Sequence, residues 1–468
     1  HTIYISLLLI IMTALLPACI EDSFSTSPSD QPTFSTDTLK LGEVFTAQGT
    51  PTHRFIVHNR HDKMMNISSI GFRDDVDGNF RLNVDGISGR EFNNVEIRAN
   101  DSIFVFVETT LPENGNDELI DIKRHIDFVT NGITSTVVVT AQGQDAIRYS
   151  DLTLTENTTF TYGRPYLITG KLVVPEGITL TLAEGARLRM HDKAEIVVDG
   201  TLRANGTPEK PVQITGDRDG YVAAQIPYEL MSGQWGGIYF APTSRDNVIN
   251  NASIRNSSYG LYLDSIAPGA SPALTMVNSQ VRNTTSRVLT AYHSDVKLIG
   301  CELTEASDGI LLLIGGKHIV NHCTIANYYL FTALGAPSIE FSHVDAETDD
   351  ASGLPFCSAE FTNSIIYGNG TLLSHGDLSG MDVYFRRCLI GVNGTDDDNF
   401  IDVIWDEDPL FYTVRQEYLF DYRLKPESPA IGAAFDAYDT YGLTNDRYGV
   451  AITSPSDLGA LKFVPPTE

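Results

Sequence analysis

Apolar and polar residues alternate in short segments from about residue 150 onward, and glycine separates many of the segments. Residues 178–183, 195–198, 201–204 and 211–215 each follow this pattern. Alternation with a period of two is typical of strands with one buried face, and no helical period competes with it. The pattern therefore predicts many short strands at a regular spacing.

The strands belong to an internal repeat. Seven apolar positions align at spacings of 27, 22, 22, 19, 22 and 24, namely Ile254, Val281, Leu303, Ile325, Val344, Ile366 and Ile390. Two positions earlier the residues are all small: Ala252, Ser279, Cys301, Cys323, Ser342, Ser364 and Cys388. Five positions earlier they are all large and apolar: Ile249, Met276, Leu298, Val320, Ile339, Phe361 and Phe385. Three positions earlier stand Asn251, Asn278, Gly300, His322, Phe341, Asn363 and Arg387, a set rich in residues that tolerate positive φ, which predicts a one-residue turn.

A repeat of about 23 residues matches one coil of three short strands, and coils of this kind stack about 4.8 Å apart. Equivalent inward residues then lie above one another and must match in size, which explains the aligned positions. The repeat predicts an all-β parallel β-helix, right-handed by the general rule for parallel crossovers. Cys301, Cys323 and Cys388 become small core residues rather than disulfide partners, and Cys357 has no assigned role.

Residues 37–147 alternate differently, as longer strands separated by polar turns such as 113–116. About 100 residues of this kind predict an immunoglobulin-like β-sandwich. The segment 137–143, Val-Val-Val-Thr-Ala-Gln-Gly, is similar to the closing strand of hydin-like modules.

The first residues have the composition of a targeting segment. An apolar stretch from 3 to 16 ends in Leu-Pro-Ala-Cys, which resembles a bacterial lipobox and predicts a signal peptide over 1–18 and lipidation of Cys19. Residues 19–36 are rich in Ser, Thr and Pro and predict a flexible tether. Glu21 and Asp22 resemble the surface-export signal of Bacteroidetes lipoproteins. We therefore expect an outer-membrane lipoprotein exposed at the cell surface, with the periplasmic face as the alternative.

The formal net charge of −28, from 60 acidic and 32 basic residues, changes the choice of partners. Such a surface repels nucleic acid and anionic lipid, and it disfavours a polyanionic ligand. The simpler interpretation is that the charge keeps the protein soluble.

The repeat fades after about residue 395, and the tail contains Asp408-Pro-Leu-Phe411 and Asp457-Leu-Gly-Ala460. This tail resembles the C-terminal segment of Bacteroidetes β-helix lipoproteins of the pectin-lyase-like superfamily. The resemblance implies a right-handed β-helix over 148–400 and a capping segment over 401–468. That superfamily contains lyases, glycosidases and proteins without assigned activity, so the fold does not decide the function.

The catalytic patterns of that superfamily are incomplete here. Asp349 and Asp350 form an acidic pair, but no Gly-His-Gly or Arg-Ile-Lys accompanies it. Together with Asp345 and Glu347 the pair lies in an interruption of the repeat, where it is either a Ca²⁺ site or a solvated acidic loop, and we favour the loop. No other metal and no cofactor is expected, because the histidines do not share one repeat position.

A binding surface fits the repeat better than a catalytic centre. Alternation along the strand at 261–264 turns two polar side chains outward, and neighbouring coils add three ring side chains. The predicted glycan contacts are Tyr262, Asp264, Tyr292, His293 and Tyr329. Aromatic faces stack on sugar rings, so a monomeric protein that binds a neutral or mildly charged polysaccharide is expected. The alternatives are a polysaccharide lyase or glycoside hydrolase with an unfamiliar site, and an adhesive protein with a protein partner.

Overall fold

The structure, a computed structural model, describes residues 23–223, 226–342, 357–374, 382–439 and 441–466. The chain forms two compact units, His1–Asp145 and Ala146–Glu468. Every regular element in the described parts is a strand or a single turn of 3₁₀ helix. The predicted fold class is therefore confirmed. The expected signal peptide and Cys19 lie outside the described residues.

The first unit is a β-sandwich. Its strands are β1 (Thr33–Phe34), β2 (Thr38–Phe45), β3 (His53–His58), β4 (Met65–Phe72), β5 (Phe80–Val84), β6 (Ile87–Gly89), β7 (Glu91–Ile97), β8 (Ser102–Thr109), β9 (Ile120–Thr130) and β10 (Ile133–Gln144). They form two five-stranded sheets in the orders β1-β3-β8-β5-β6 and β2-β10-β9-β4-β7. The inward residues of both sheets, among them Phe55, Val105 and Phe128, form one buried core.

Part of the segment expected to be a flexible tether is ordered within this unit. The backbone NH of Ser25 donates to Met64 O at 2.8 Å, and the ring of Phe34 lies 4.9 Å from that of Phe128. The expectation for 19–36 is therefore wrong from residue 23 onward. The segment is mostly polar but contains two aromatic residues, Phe24 and Phe34. Phe34 packs against the core of the sandwich.

The second unit is built from short strands and three 3₁₀ turns. They are β11 (Ile147–Thr153), β12 (Thr158–Phe160), β13 (Tyr166–Val174), β14 (Thr179–Leu182), β15 (Arg187–Met190), β16 (Glu195–Val198), β17 (Thr201–Asn205), β18 (Val212–Gly216), β19 (Tyr221–Ala223), β20 (Ile226–Pro227), η1 (Tyr228–Leu230), β21 (Ile238–Phe240), β22 (Asn247–Asn250), β23 (Ala252–Arg255), β24 (Leu261–Asp264), β25 (Leu274–Val277), β26 (Gln280–Thr284), β27 (Leu289–Tyr292), β28 (Val296–Ile299), β29 (Glu302–Ala306), β30 (Leu311–Ile314), β31 (Lys317–Asn321), β32 (Thr324–Asn327), β33 (Ile339–Ser342), β34 (Ser358–Thr362), β35 (Ile365–Gly368), β36 (Leu373–Ser374), β37 (Asp382–Arg386), β38 (Leu389–Ile390), β39 (Phe400–Ile401), β40 (Ile404–Trp405), β41 (Phe411–Val414), η2 (Gln416–Tyr418), β42 (Phe420–Leu424) and η3 (Asp436–Tyr438).

Parallel pairing from coil to coil makes this unit a β-helix with three sheets. Sheet A has the order β12-β14-β17-β22-β25-β28-β31-β34-β37-β39. Sheet B contains β15-β18-β23-β26-β29-β32-β35-β38-β40. Sheet C contains β16-β21-β24-β27-β30-β33-β36. The first strands, β11 and β13, bend from sheet B into sheet C, because Tyr166 pairs with Leu188 of β15 and Leu172 pairs with Ile196 of β16.

The predicted turn and small positions are confirmed where strands of sheets A and B meet. Positive φ occurs at Asn251, Asn278, Gly300, His322, Asn363 and Arg387. The next residue in each coil is buried, and Cys301, Cys323, Cys357 and Cys388 are all free thiols. Cys301 Sγ donates to Ile299 O at 3.3 Å, as Ser279 Oγ donates to Val277 O at 2.8 Å. A thiol and a hydroxyl therefore occupy the same place in successive coils.

One coil of the predicted repeat was wrong. Ile325 pairs directly with Ile366, so these two rungs are adjacent; Val344, which the repeat placed between them, lies outside the described residues. Ile339 pairs instead with Leu311 and Leu373, in sheet C. The alignment failed because a strand of any sheet alternates in the same way, and the segment around Ile339 imitated the beginning of a coil by chance.

The tail lies beside the solenoid rather than over its open end, which corrects the expected capping role for residues 411–463. Phe411, Leu458 and Leu461 pack against the outward side chains of Ile365 and Leu389 on sheet B. The turn residues hold the same segment, since Asn278 Nδ2 donates to Asn445 O at 2.9 Å and Arg387 Nε donates to Ala433 O at 2.6 Å. Apolar outward residues on sheet B require this cover.

Candidate functional site

The predicted glycan contacts on sheet C are partly engaged with one another. Tyr262 and Asp264 are half-buried and face outward from β24, as expected from alternation. The ring of Tyr262 stacks on that of Tyr239 in the preceding coil, with centroids 5.8 Å apart, and Tyr239 Oη donates to Asp264 Oδ2 at 2.6 Å. Tyr259 Oη donates to Glu195 beside them. Burial and the neighbouring carboxylates raise the pKa of the Tyr239 and Tyr259 hydroxyls.

This arrangement, which we call the tyrosine patch, offers few free ring faces. Rings stacked along the solenoid use their faces on each other, whereas a sugar needs an open face. Tyr292 continues the patch in the coil after Asp264, and its ring contacts that of His293, which is 8% exposed. Tyr329 lies elsewhere: it is 6% exposed, and its hydroxyl is 2.6 Å from Ser232 Oγ.

The structure describes no metal site. The Ca²⁺ candidates Asp345, Glu347, Asp349 and Asp350 lie outside the described residues. Among the residues that are described, no three His, Cys, Asp or Glu side chains are grouped to hold an ion. Burial lowers the pKa of His318 and of His322 to about 4, so both rings are neutral core groups.

A cleft lies on the outer face of sheet B, in the half that the apolar part of the tail leaves open. We call it the sheet B cleft. Its volume is about 700 Å³. Outward residues of four successive strands line it: Gln213, Ser253, Arg255, Gln280, Arg282 and Glu302. The β41–β42 hairpin contributes Tyr412, Asp421, Tyr422 and Arg423, and the tail contributes Arg447 and Tyr448.

Two arginines with few partners lie side by side in this cleft. Arg255 of β23 pairs in register with Arg282 of β26. Their side chains are 22% and 13% exposed, and Nε of each has no hydrogen-bond partner among the described residues. Glu229 of η1 lies 3.5 Å from Arg255 Nη1 and 3.6 Å from Arg282 Nη2. Burial lowers the pKa of Arg255; Glu229 opposes this shift, whereas Arg282 reinforces it.

Two carboxylates of β29, one lining the cleft and one buried next to it, have different surroundings. Glu302 accepts from Arg447 Nη1 at 2.5 Å. Glu305 is fully buried and accepts a hydrogen bond from the Tyr422 hydroxyl, and burial raises the pKa of its carboxyl to about 7. Its φ of 49° is in the left-handed region, at the turn where the two preceding coils use Asn256 and Asn283. Glu305 does not itself line the cleft but lies beneath Tyr422, which does, and a carboxylic acid with a pKa near 7 next to a cleft is a functional candidate.

The rims of the cleft carry exposed aromatic rings. Tyr412 of β41 and Tyr448 of the tail are 59% and 58% exposed. The guanidinium of Arg423 lies 5.6 Å from the ring of Tyr412, and that of Arg447 lies 5.0 Å from the ring of Tyr448. Each guanidinium holds its ring in place and covers at most one face. The other face can then meet a sugar ring.

The sequence contained part of the signal for this cleft. The residues immediately after the aligned Ile254 and Val281 are Arg255 and Arg282, so the arginine pair could have been found one position from the aligned apolar residues. The tail residues gave no such signal, because no repeat connects Tyr412 or Arg447 to the strands they approach.

Comparisons with known proteins identify no family and carry no argument about the fold. No family model matches the chain, and no curated protein matches it. Among solved structures, the chain is similar to the catalytic unit of a thermostable GH87 α-1,3-glucanase from Streptomyces thermodiastaticus strain HF3-3. The identity is 10%, the match covers 75% of this chain and 76% of that chain, and the TM-score is 0.16. The fold assignment therefore depends on the strand pairing described above. In the parts of the chain that the structure describes, no helix has the length and apolar character to cross a membrane.

Proposed function

We propose that the protein binds a polysaccharide in the sheet B cleft. The observation that carries the proposal is the combination of exposed tyrosine rims with a floor of arginine, glutamine and glutamate side chains. Rings that stack on sugars and polar groups that bond hydroxyls are the two components of a glycan site. A cleft along stacked strands also fits an extended chain, since several weak contacts add up.

The tyrosine patch is a second surface for the same function. Tyr262 and Asp264 face outward, but Asp264 already accepts a hydrogen bond from Tyr239. A ligand there has to compete with bonds that the protein makes with itself. We therefore place the main contacts in the cleft and auxiliary ones at the patch.

The test is a glycan array probed with the purified chain, together with assays for new reducing ends and for unsaturated ends on the same preparation. We expect binding to a restricted set of polysaccharides and no new chain ends. If the chain binds no polysaccharide on the array, the proposal is contradicted and a protein partner is favoured.

An enzyme is the second candidate, and one observation favours it. Glu305 has the raised pKa of a general acid, and Glu302 supplies a second carboxylate nearby in the same strand. Tyr422 covers Glu305, however, so a substrate reaches it only if the β41–β42 hairpin moves. Steady release of chain ends that stops in Glu305→Gln and persists in the surface variant Glu184→Gln would move the assignment to a hydrolase or lyase.

The cellular location belongs to the proposal as well. The lipobox around Cys19 supports a lipid anchor in the cell envelope, at the outer membrane and exposed on the surface. Replacement of Cys19 by Ala should abolish palmitate labelling and membrane retention of the expressed protein. Unchanged labelling of the variant would contradict the anchor without affecting the proposal for the cleft.

A further inference from the structure

Arg255 and Arg282 make the sheet B cleft locally basic on a strongly acidic protein. The two side chains project from adjacent parallel strands, which are about 4.8 Å apart. Like charges in register on neighbouring strands repel each other. The Nε–H groups of Arg255 and Arg282 are buried without a hydrogen-bond partner among the described residues. Burying such a donor reduces the stability of the folded protein unless an acceptor binds it. The pair therefore requires an anion between or above its two members.

Within 4 Å of either guanidinium, the described residues supply one carboxylate, that of Glu229; Asp219 acts on Arg255, and the buried Glu305 on Arg282, only from larger distances. The Glu229 carboxylate is 51% exposed, and its distances of 3.5 and 3.6 Å to the guanidinium nitrogens are too long for charge-assisted hydrogen bonds. Its backbone, in contrast, is firmly held, since Asn256 Nδ2 donates to Glu229 O at 2.6 Å and Asn283 Nδ2 at 2.9 Å. The side chain can thus swing away while η1 stays in place.

We propose that the Arg255–Arg282 pair is the subsite for an anionic group of the bound glycan, and that Glu229 is a built-in counter-anion which this group displaces. A carboxylate or a sulfate ester has the oxygen geometry that guanidinium groups bind with two hydrogen bonds each. The inference rests on the proposed function and adds the class of ligand: an acidic polysaccharide. The net charge of −28 led us to expect that the protein disfavours polyanionic ligands, and this inference makes the sheet B cleft an exception.

The test uses small probes that do not depend on finding the polymer. Sodium glucuronate, sodium sulfate and glucose are titrated separately into the full chain at constant ionic strength, and binding is followed by calorimetry. The variant Glu229→Gln removes the competing charge. Its matched control is Glu184→Gln, because Glu184 is 52% exposed and forms a similar long ion pair, at 3.4 Å, with Lys210.

We expect glucuronate, sulfate or both to bind, and glucose to give no signal. An exposed ion pair is worth up to about 1 kcal/mol, so Glu229→Gln should tighten anion binding by about fivefold. Glu184→Gln should leave it unchanged, and Arg282→Gln should abolish it. A preference for glucuronate or for sulfate identifies the acidic group as a uronate or as a sulfate ester.

The inference is overturned if neither anion binds to Glu229→Gln, or if both glutamate variants tighten binding equally. Neither outcome depends on whether Arg282→Gln folds, because both glutamates lie at the surface. The glycan array remains a separate test. A protein that binds only neutral polysaccharides keeps the proposed function and loses this inference, whereas one that binds the small anions but no polysaccharide loses the proposed function.

Discussion

The two halves of the outer face of sheet B differ more than any two coils of the core. Ser253, Gln280 and Glu302 occupy one outward position in the first half, and Ile365 and Leu389 occupy the same position in the second. The tail packs over the apolar half, and the polar half floors the cleft. The core repeats because coils must stack. The outer face is free to vary, and its change of polarity separates a surface for the protein's own tail from a surface for a ligand.

The largest effect should come from placing a charge in the covered half. Leu389→Asp buries a carboxylate among Phe411, Leu458 and Leu461, and should cost about 4 kcal/mol. Ser253→Asp makes a polar change at the same outward position in the open half, and should change stability by less than about 0.5 kcal/mol. Urea unfolding of both variants measures the difference. Equal losses would mean that the two halves are equally covered.

A second prediction concerns the acid at the boundary between the halves. The folded-state pKa of Glu305 is about 7, against an ordinary 4.5. A raised pKa means that the folded state holds the proton more tightly than the unfolded state does. The contribution of Glu305 to stability is therefore greatest below pH 4.5, falls as the pH rises to 7, and is constant above that.

The variant Glu305→Gln cannot lose a proton, so it should gain up to about 3 kcal/mol relative to the natural chain between pH 4.5 and 7.5. Urea unfolding at pH 4.5, 6 and 7.5 gives the two profiles, with Glu184→Gln as the control for loss of an exposed carboxylate. Parallel profiles for Glu305→Gln and the natural chain would mean that the carboxyl is not held in a buried, neutral state.

A smaller effect is expected where the coils are alike. Cys301→Ser should be tolerated, because Ser279 already occupies this place and donates the same kind of hydrogen bond. Cys301→Leu inserts extra carbons between stacked coils and should cost about 1–3 kcal/mol. Thermal unfolding of the two variants compares them. A disulfide between Cys301 and Cys323, or a large loss in Cys301→Ser, would contradict the account of a free core thiol.

These comparisons also define what the sequence could predict. Positions that stack are constrained by their neighbours, so the turn residues and the small residues such as Cys323 could be predicted from spacing alone. The long coil between Ile325 and Ile366 could not, because insertions of arbitrary length break the register. The cleft was missed because its walls come from the tail, whose contacts with sheet B are distant in sequence. The outward orientation of Tyr262 and Asp264 was predicted correctly, but the stacking between Tyr239 and Tyr262 had no signature in the pattern.

The most direct test of the account compares one ring of the sheet B cleft with one ring of the tyrosine patch on the polysaccharide that the array identifies. Tyr448→Ala and Tyr262→Ala each remove one tyrosine side chain, and the dissociation constants of both are measured by calorimetry. If the cleft is the binding site, Tyr448→Ala should weaken binding by about tenfold, or about 1.4 kcal/mol, and Tyr262→Ala by less than about twofold. Loss of binding in Tyr262→Ala with full affinity in Tyr448→Ala would contradict the account and place the ligand on sheet C.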